Sequence, residues 1–496
     1  MRITKSDYVT YVTCPKTLWL NKYKKELAIT SDSTIKRMSS GNELGDLAMR
    51  LFGDYYLAET KDENGILDLN QMHINTINEL NNPNTSVICE AAFIKDNLYC
   101  AVDILKKTDD GLEIYEVKSS TDVKEYHITD SSFQYYVLNE LNYKIKDVYI
   151  ITVDSSYVRK DELEVKKLLK LNKVTDQVLS QQPFILDNIN KIMELYNADE
   201  PESILDKHCK NPHECAYMKY CYKDIPTPSV FDLSNFRKSY TLFKEGIITF
   251  EDILNSKHYS KLTDGCKTQI KFELENKGTF VDKEKVKEFL DSLTYPLYLL
   301  DFETFQPVIP PFKNTKAYSQ IPFQYSLHIL HKDGHLEHKE FLGIEGTNPT
   351  YDLAKSLLND IPSNSMVMAY NMSFEKSRIK ELAEMYPDLK YRLLHRLNNF
   401  VDLMIPFQQK HVYKKEFQGS YSIKYILPGL FPNDPELDYH NLDIIHNGSE
   451  AMTMYEDLLN YPLEERIKIR TALLKYCELD TYAMYKILKK LYELTN

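Results

Sequence analysis

The sequence predicts an α/β protein built from two layered domains. Strand-like runs rich in Val, Ile and Tyr alternate with amphipathic stretches, and the alternation occurs twice, across 86–153 and again from 295 onward. The chain has 496 residues, too many for one ordinary core. The expected organisation is a first domain over 1–224, a helical linker region over 225–294 and a second domain over 295–496.

The elements follow in order. "SVICEAAFI", "LYCAVDILKKT" and "LEIYEVKSS" are separated by short "KDN" and "DDG" breaks and read as an antiparallel meander. "ITDSSFQYYVLNELNY" reads as a helix capped by Thr129 or Asp130, and "DVYIITVD" as a returning strand. A largely helical stretch leads to "HCKNPHECAYMKYC", and "DIPTPSV" reads as a linker. Short amphipathic helices are expected over 233–294. The second pattern opens with the strands "YPLYLLDFETF", "IPFQYSLHIL" and "LEHKEFLG". "SMVMAYN" adds a strand, "SFEKSRIKELAEMY" a helix, and "ERIKIRTALLKYCELDTYAMYKILKKLYEL" a long amphipathic helix.

Composition narrows the function. Apolar residues make up 43% and charged residues 27%, as in a globular protein. The net charge of -12 argues against coating nucleic acid by bulk charge, but not against a nuclease, whose cation-binding carboxylates make the site acidic. No signal segment and no apolar run of bilayer length is visible, so a cytoplasmic location without membrane contact is expected. In that reducing setting the eight cysteines read as thiols or metal ligands rather than disulfides.

Three groups of residues carry chemistry. In the meander, Asp103 lies on the second strand, and Glu116 and Lys118 lie two apart on the third, sharing a face. The intervening hairpin brings the two acids side by side as a minimal oxygen site for Mg²⁺, with the lysine placed to position a water or stabilise developing charge. Cys209, Cys215 and Cys221, each six apart, form most of a thiolate metal site, flanked by His208 and His213. Cys89, Cys100, Cys266 and Cys477 sit in apolar patterns and read as small core residues. In the second domain Asp301 and Glu303 share one face of an apolar strand, an arrangement that asks for a cation. Asn371, Phe374 and Glu375 follow at a strand-to-helix turn, Asp402 lies in "NFVDLM", and Tyr476 and Asp480 lie four apart on the last helix.

The first set, with Gln134 on the following helix, resembles the RecB-like branch of the PD-(D/E)XK nucleases. That resemblance implies a restriction-endonuclease-like core in which Asp103 and Glu116 bind Mg²⁺ or Mn²⁺ and Lys118 and Gln134 complete the catalytic set. The branch often adds a histidine ligand from an early helix; "SGNELGDLAMRLF" has none, so either Glu43 or Asp46 substitutes or the metal site is weakened, with Glu90 on the first strand as a candidate extra ligand. Such nucleases often carry an iron–sulfur cluster held by one early and three late cysteines, which implies Cys14 of "YVTCPKTLWL" as fourth ligand to Cys209, Cys215 and Cys221. Four thiolates suit a [4Fe–4S] cluster or structural Zn²⁺; the wide spacing favours the cluster.

The second set is similar to the DnaQ-like (DEDD) 3′–5′ exonucleases, which have an RNase H-like fold. By that resemblance Asp301, Glu303 and Asp480 hold two divalent metals, Tyr476 orients the attacking water, and Glu375 or Asp402 is the remaining carboxylate. Both halves together resemble a bacterial family of uncharacterised proteins joining the two domain types. The resemblance implies a metal-dependent nuclease acting on nucleic acid, DNA favoured over RNA. A nucleic-acid binding or assembly module with one active site or none is the alternative.

Overall fold

The computed structural model describes residues 2–30, 32–211, 213–275 and 278–496. It is a mixed α/β structure with several sheets, divided into two compact units. Unit 1 comprises Met1–Lys223 with Pro307–Ser319, and unit 2 comprises Asp224–Gln306 with Gln320–Asn496. The helical stretch 225–294 thus belongs to unit 2, and the segment Pro307–Ser319 joins unit 1.

Unit 1 begins with β1 (Ile3–Thr4), α1 (Lys5–Thr13) and α2 (Pro15–Tyr23). Thr4 and Asp7 cap α1 reciprocally, and Pro15 starts α2, where its missing N–H leaves no bond unmade. Next come α3 (Asp32–Ala48), β2 (Tyr56–Leu57) and α4 (Leu69–Asn81). The expected meander is β3 (Val87–Lys95), β4 (Leu98–Thr108) and β5 (Gly111–Val117), followed by α5 (Glu125–Glu140) and β6 (Ile145–Val153). The one-turn α6 (Val165–Leu168), β7 (Leu169–Lys173), α7 (Thr175–Leu195) and α8 (Met218–Cys221) complete the unit.

The strand order is β2-β3-β4-β5-β6-β7. The meander is antiparallel, and β6 returns parallel to β5 after α5. β1 pairs with the first residues of β4, while β5 pairs with its last. The side chain of Lys5, directly after β1, therefore emerges near the point where β5 stops. Alternation along the strands sends Ile88, Leu105 and Ile114 to one face with α5 and α7, and Cys89, Ile104 and Tyr115 to the other with α3. α5 starts five residues earlier than the expected cap at Asp130. Its N-cap is Lys124, and Thr129 and Asp130 are buried inside it because the sheet covers that face.

Unit 2 opens with α9 (Ser239–Lys244), α10 (Phe250–Leu254), α11 (Asp264–Leu274), β8 (Phe280–Val281) and α12 (Lys283–Asp291). The sheet elements are β9 (Leu297–Phe305), β10 (Ile321–Leu330), β11 (Leu336–Leu342), β12 (Met366–Ala369) and β13 (Phe400–Asp402). Between them lie α13 (Thr350–Asp360), α14 (Ser373–Met385) and α15 (Lys390–Arg396). After them come α16 (Ile405–Gln408), β14 (Val412–Tyr413), which pairs with β8, α17 (Ile423–Leu430), α18 (Gly448–Glu456) and α19 (Leu463–Thr495).

The five-stranded order is β11-β10-β9-β12-β13, with β9, β10 and β11 antiparallel and β12 and β13 parallel to β9. On β9, Tyr298, Leu300 and Phe302 face α13 and α14, whereas Leu297 and Leu299 face α19. Asp301 and Glu303 continue the second series, so they project toward α19.

Candidate functional site

The carboxylates of unit 2 come together from three elements. Asp301 and Glu303 on β9 and Asp480 on α19 each offer an oxygen within 4.8 Å of the others. Burial raises the pKa of all three, and mutual repulsion adds to it at Asp301 and Glu303. Three acids crowded into so little space repel one another unless a cation or protons neutralise them. Glu375, in the first turn of α14, is 2% exposed, and its Oε2 has no hydrogen-bond partner among the described residues. Burial pushes it up to about 8, and its charge acts on Asp301.

Asp402 has a different role. Its carboxylate accepts backbone N–H bonds from Asn371 (2.9 Å), Met372 (3.1 Å) and Met404 (3.0 Å). Asn371 has φ 70, a left-handed conformation that asparagine tolerates, so Asp402 pins the turn that launches α14 and Glu375. Asp402 is thus satisfied by the backbone of the turn, while Glu375 acts electrostatically on Asp301.

Tyr476 lies one turn before Asp480 and is held as a neutral phenol by burial. Sequence reasoning missed three neighbours. The Tyr439 hydroxyl donates to Asp480 Oδ1 at 2.6 Å. Cys477, buried as expected, lies 3.9 Å from Asp301 Oδ2. Gly448 opens α18 so close to the site that a Cβ there would lie 3.8 Å from both Glu303 Oε2 and the Tyr476 hydroxyl.

In unit 1 the expected set also assembles. The register between β4 and β5 ends at Ile104 with Tyr115, and Asp103 and Glu116 are the next residues along the two strands. Asp103 Oδ2 accepts from Val117 N at 2.7 Å, Lys118 Nζ donates to Glu116 Oε1 at 2.7 Å, and Gln134 Nε2 donates to Glu116 Oε2 at 2.6 Å. Two further members were not anticipated. Asp130, one turn before Gln134 on α5, accepts from Lys118 Nζ at 2.6 Å. Lys5 Nζ reaches Glu116 Oε1 at 3.0 Å and Asp103 Oδ1 at 3.5 Å. Only the capping pattern of "ITKSDY" marks its helix start; nothing local signals partners 111 residues away.

Burial opposes the charge on both lysines, but the surrounding carboxylates outweigh it and raise their pKa. Glu116 is held low by Lys118 and Lys5 against burial, while burial and the Glu116 charge raise Asp103. Among the described residues, Asp130 Oδ1 and Gln134 Oε1 are buried without partners. Of the substitute ligands, Glu43 and Asp46 are exposed on α3. Glu90 lies across β3 from Asp103 with φ 53, and burial with the Asp103 charge raises it to about 8. Among the described residues no third acid stands with Asp103 and Glu116 at the spacing seen for the unit 2 triad.

The four cysteines Cys14, Cys209, Cys215 and Cys221 line one cavity of about 280 Å³, together with His208 and His213. All are free thiols, and Cys14 and Cys215 act electrostatically on both Cys209 and Cys221. Among the described residues no three of these sulfurs stand within 4.8 Å of one another. Thiolates around a single Zn²⁺ would stand roughly 3.8 Å apart, given Zn–S bonds of about 2.3 Å. The donor set is chemically right for a metal group, and its sulfurs are spaced more widely than around a single Zn²⁺. Among the described residues, His208 Nε2 is buried there without a partner.

A family model described as a domain of unknown function (DUF2779) matches residues 298–422, the stretch that carries Asp301, Glu303, Glu375 and Asp402. No curated protein matches the chain. No helix among the described residues is long and apolar enough to cross a membrane.

Proposed function

We propose that the protein is a metal-dependent nuclease whose unit 2 removes nucleotides from the 3′ end of a nucleic acid, DNA favoured over RNA. The observation that carries this reading is the convergence of Asp301, Glu303 and Asp480 within 4.8 Å, with buried Glu375 acting on the same centre. The strand order β11-β10-β9-β12-β13, with only β10 running against the others, supports the RNase H-like reading of this unit.

Divalent cations held by Asp301, Glu303, Glu375 and Asp480 would supply charge for both the attacking and the leaving oxygen of an in-line displacement. Tyr476, a neutral phenol, orients the attacking water by hydrogen bonding and does not act as a base. Tyr439 holds Asp480 in place. Gly448 leaves open the space that a side chain would take from the scissile phosphate.

In unit 1 the meander, α5 and parallel β6 support a PD-(D/E)XK core. There Asp103 and Glu116 would hold Mg²⁺ or Mn²⁺, Lys118 would assist the attacking water, and Gln134 fixes Glu116. The four cysteines would hold a [4Fe–4S] cluster that ties the start of the unit to its end, a structural role in which binding energy adds to folding energy. One observation favours the second reading for this unit. Lys5 already neutralises Asp103 and Glu116, as in a site that grips nucleic acid without cutting it.

The test of unit 2 uses single-stranded DNA labelled at its 5′ end. Wild-type protein with Mn²⁺ or Mg²⁺ should produce a ladder that shortens from the 3′ end and stops with chelator. Asp480→Asn should abolish it. A ladder that persists in Asp480→Asn at the wild-type rate overturns the assignment.

A further inference from the structure

A second donor set in unit 2 lies outside the carboxylate centre. His328 and His338 form a directly opposed cross-strand pair on β10 and β11, their ring centroids 4.6 Å apart. Glu478 on α19 completes the group, and each of the three residues offers a donor atom within 4.8 Å of the others. Glu478 and Asp480 are two apart on the helix, roughly 200° around its axis, so they serve different sides of α19.

Two hydroxyls hold the rings: Thr481 Oγ1 lies 2.7 Å from His328 Nδ1 and 2.7 Å from Ser326 Oγ, and Ser326 Oγ lies 2.9 Å from His338 Nε2. With those nitrogens engaged, His328 Nε2 and His338 Nδ1 are the ring atoms left for a further ligand, and His338 Nδ1 stands 3.8 Å from Glu478 Oε1. Burial keeps His328 neutral, its pKa pushed down to about 4.

We propose that His328, His338 and Glu478 bind one borderline divalent cation such as Zn²⁺, with Ser326 and Thr481 fixing the ring orientations. Two imidazoles and a carboxylate are a common donor set for such an ion, and three protein ligands leave a position open for water. Hydroxyls that hold the far nitrogen of each ring are the supporting contacts that metal-binding histidines use. Nitrogen donors select against Mg²⁺, so this site and the carboxylate centre take different cations. The bound ion would fasten β10 and β11 to α19, the helix that carries Tyr476 and Asp480. The inference is independent of the nuclease reading.

The experiment measures Zn²⁺ binding to the chelator-stripped full chain in millimolar Mg²⁺, by competition with a chromophoric chelator. Wild type is compared with His338→Ala, Glu478→Gln and Asp301→Asn. Glu478 is exposed and His338 half-buried, so their metal-free melting temperatures should match wild type. The expected result is one fewer Zn²⁺ bound by His338→Ala, affinity for that ion reduced more than about tenfold in Glu478→Gln, and no change at this site in Asp301→Asn. The rise in melting temperature that Zn²⁺ gives the wild type should disappear in the first two variants. Wild-type stoichiometry and affinity in both His338→Ala and Glu478→Gln overturn the site. Should His338→Ala fail to fold, the Glu478→Gln affinity alone decides.

Discussion

Asp402 and Glu375 are both buried acids near the same turn, and their partners separate their roles. Asp402 is satisfied by backbone N–H groups, so Asp402→Asn should lower stability by about 1–3 kcal/mol through the lost charged acceptor. Glu375 has an unpartnered oxygen, so Glu375→Gln should leave the melting temperature near wild type and weaken Mn²⁺ binding. Calorimetric Mn²⁺ titration beside thermal melting checks both. The acids also set a pH dependence. Burial raises Asp480 to about 7 from its ordinary 3.8, so between these values the folded state keeps a proton that the unfolded chain has released. Stability contributed by this group is present below about pH 4 and is lost as pH rises toward 7. Melting of chelated protein from pH 5 to 7 should show the decline, and Asp480→Asn should reduce it. The acids on β9 and α19 were legible because each pair shares a face by simple periodicity. Tyr439, Gly448, Lys5 and Asp130 were not, since each acquires its role from a partner distant in sequence.

At the scale of elements, the strands were legible wherever alternation or an apolar run marked them. β7 was missed because most of "LKLNK" is polar and exposed, as befits a strand with a single paired edge, and β13 because it is three residues long. The start of α5 was misjudged because Thr129 and Asp130 look like caps, whereas the sheet buries them mid-helix. Asp130 instead joins Lys118 and Lys5 in a charge network that positions α1 and α5 against the sheet. Lys5→Met should destabilise unit 1 by ~2 kcal/mol, less than the loss of one partner of a fully buried pair because Lys5 keeps 23% of its side chain exposed. Divalent cation should restore part of that loss, read by melting with and without Mg²⁺. The junction between α1 and α2 carries Cys14, so Cys14→Ser should destabilise unit 1 and discharge the colour of anaerobically purified protein. Cys266→Ser should change stability by less than about 1 kcal/mol, because serine can keep the hydrogen bond to the Ser234 carbonyl. Colourless wild-type protein with one zinc per chain would contradict the cluster.

For the whole molecule, the two candidate sets lie in separately clustered units, each with its own core. Their activities should therefore respond to different substitutions. The doubly layered α/β architecture was legible in the repeated alternation of strand and helix. The assignment of Pro307–Ser319 to unit 1 was not, because nothing in "VIPPFKNTKAYS" signals its partners: Arg159 Nη1 donates to the Pro310 and Pro311 carbonyls, and the Tyr318 hydroxyl donates to Ser119 O at 2.6 Å.

The most direct measurement follows degradation of end-labelled single- and double-stranded DNA and RNA with Mn²⁺ by wild type, Asp301→Ala, Lys118→Ala and the double variant. The expected result is loss of stepwise 3′-end removal in Asp301→Ala with folding intact, and its retention in Lys118→Ala. Any cleavage that survives the first substitution should vanish with the second. Full activity of the double variant, or stepwise 3′-end removal by Asp301→Ala at the wild-type rate, would contradict the two-metal carboxylate centre.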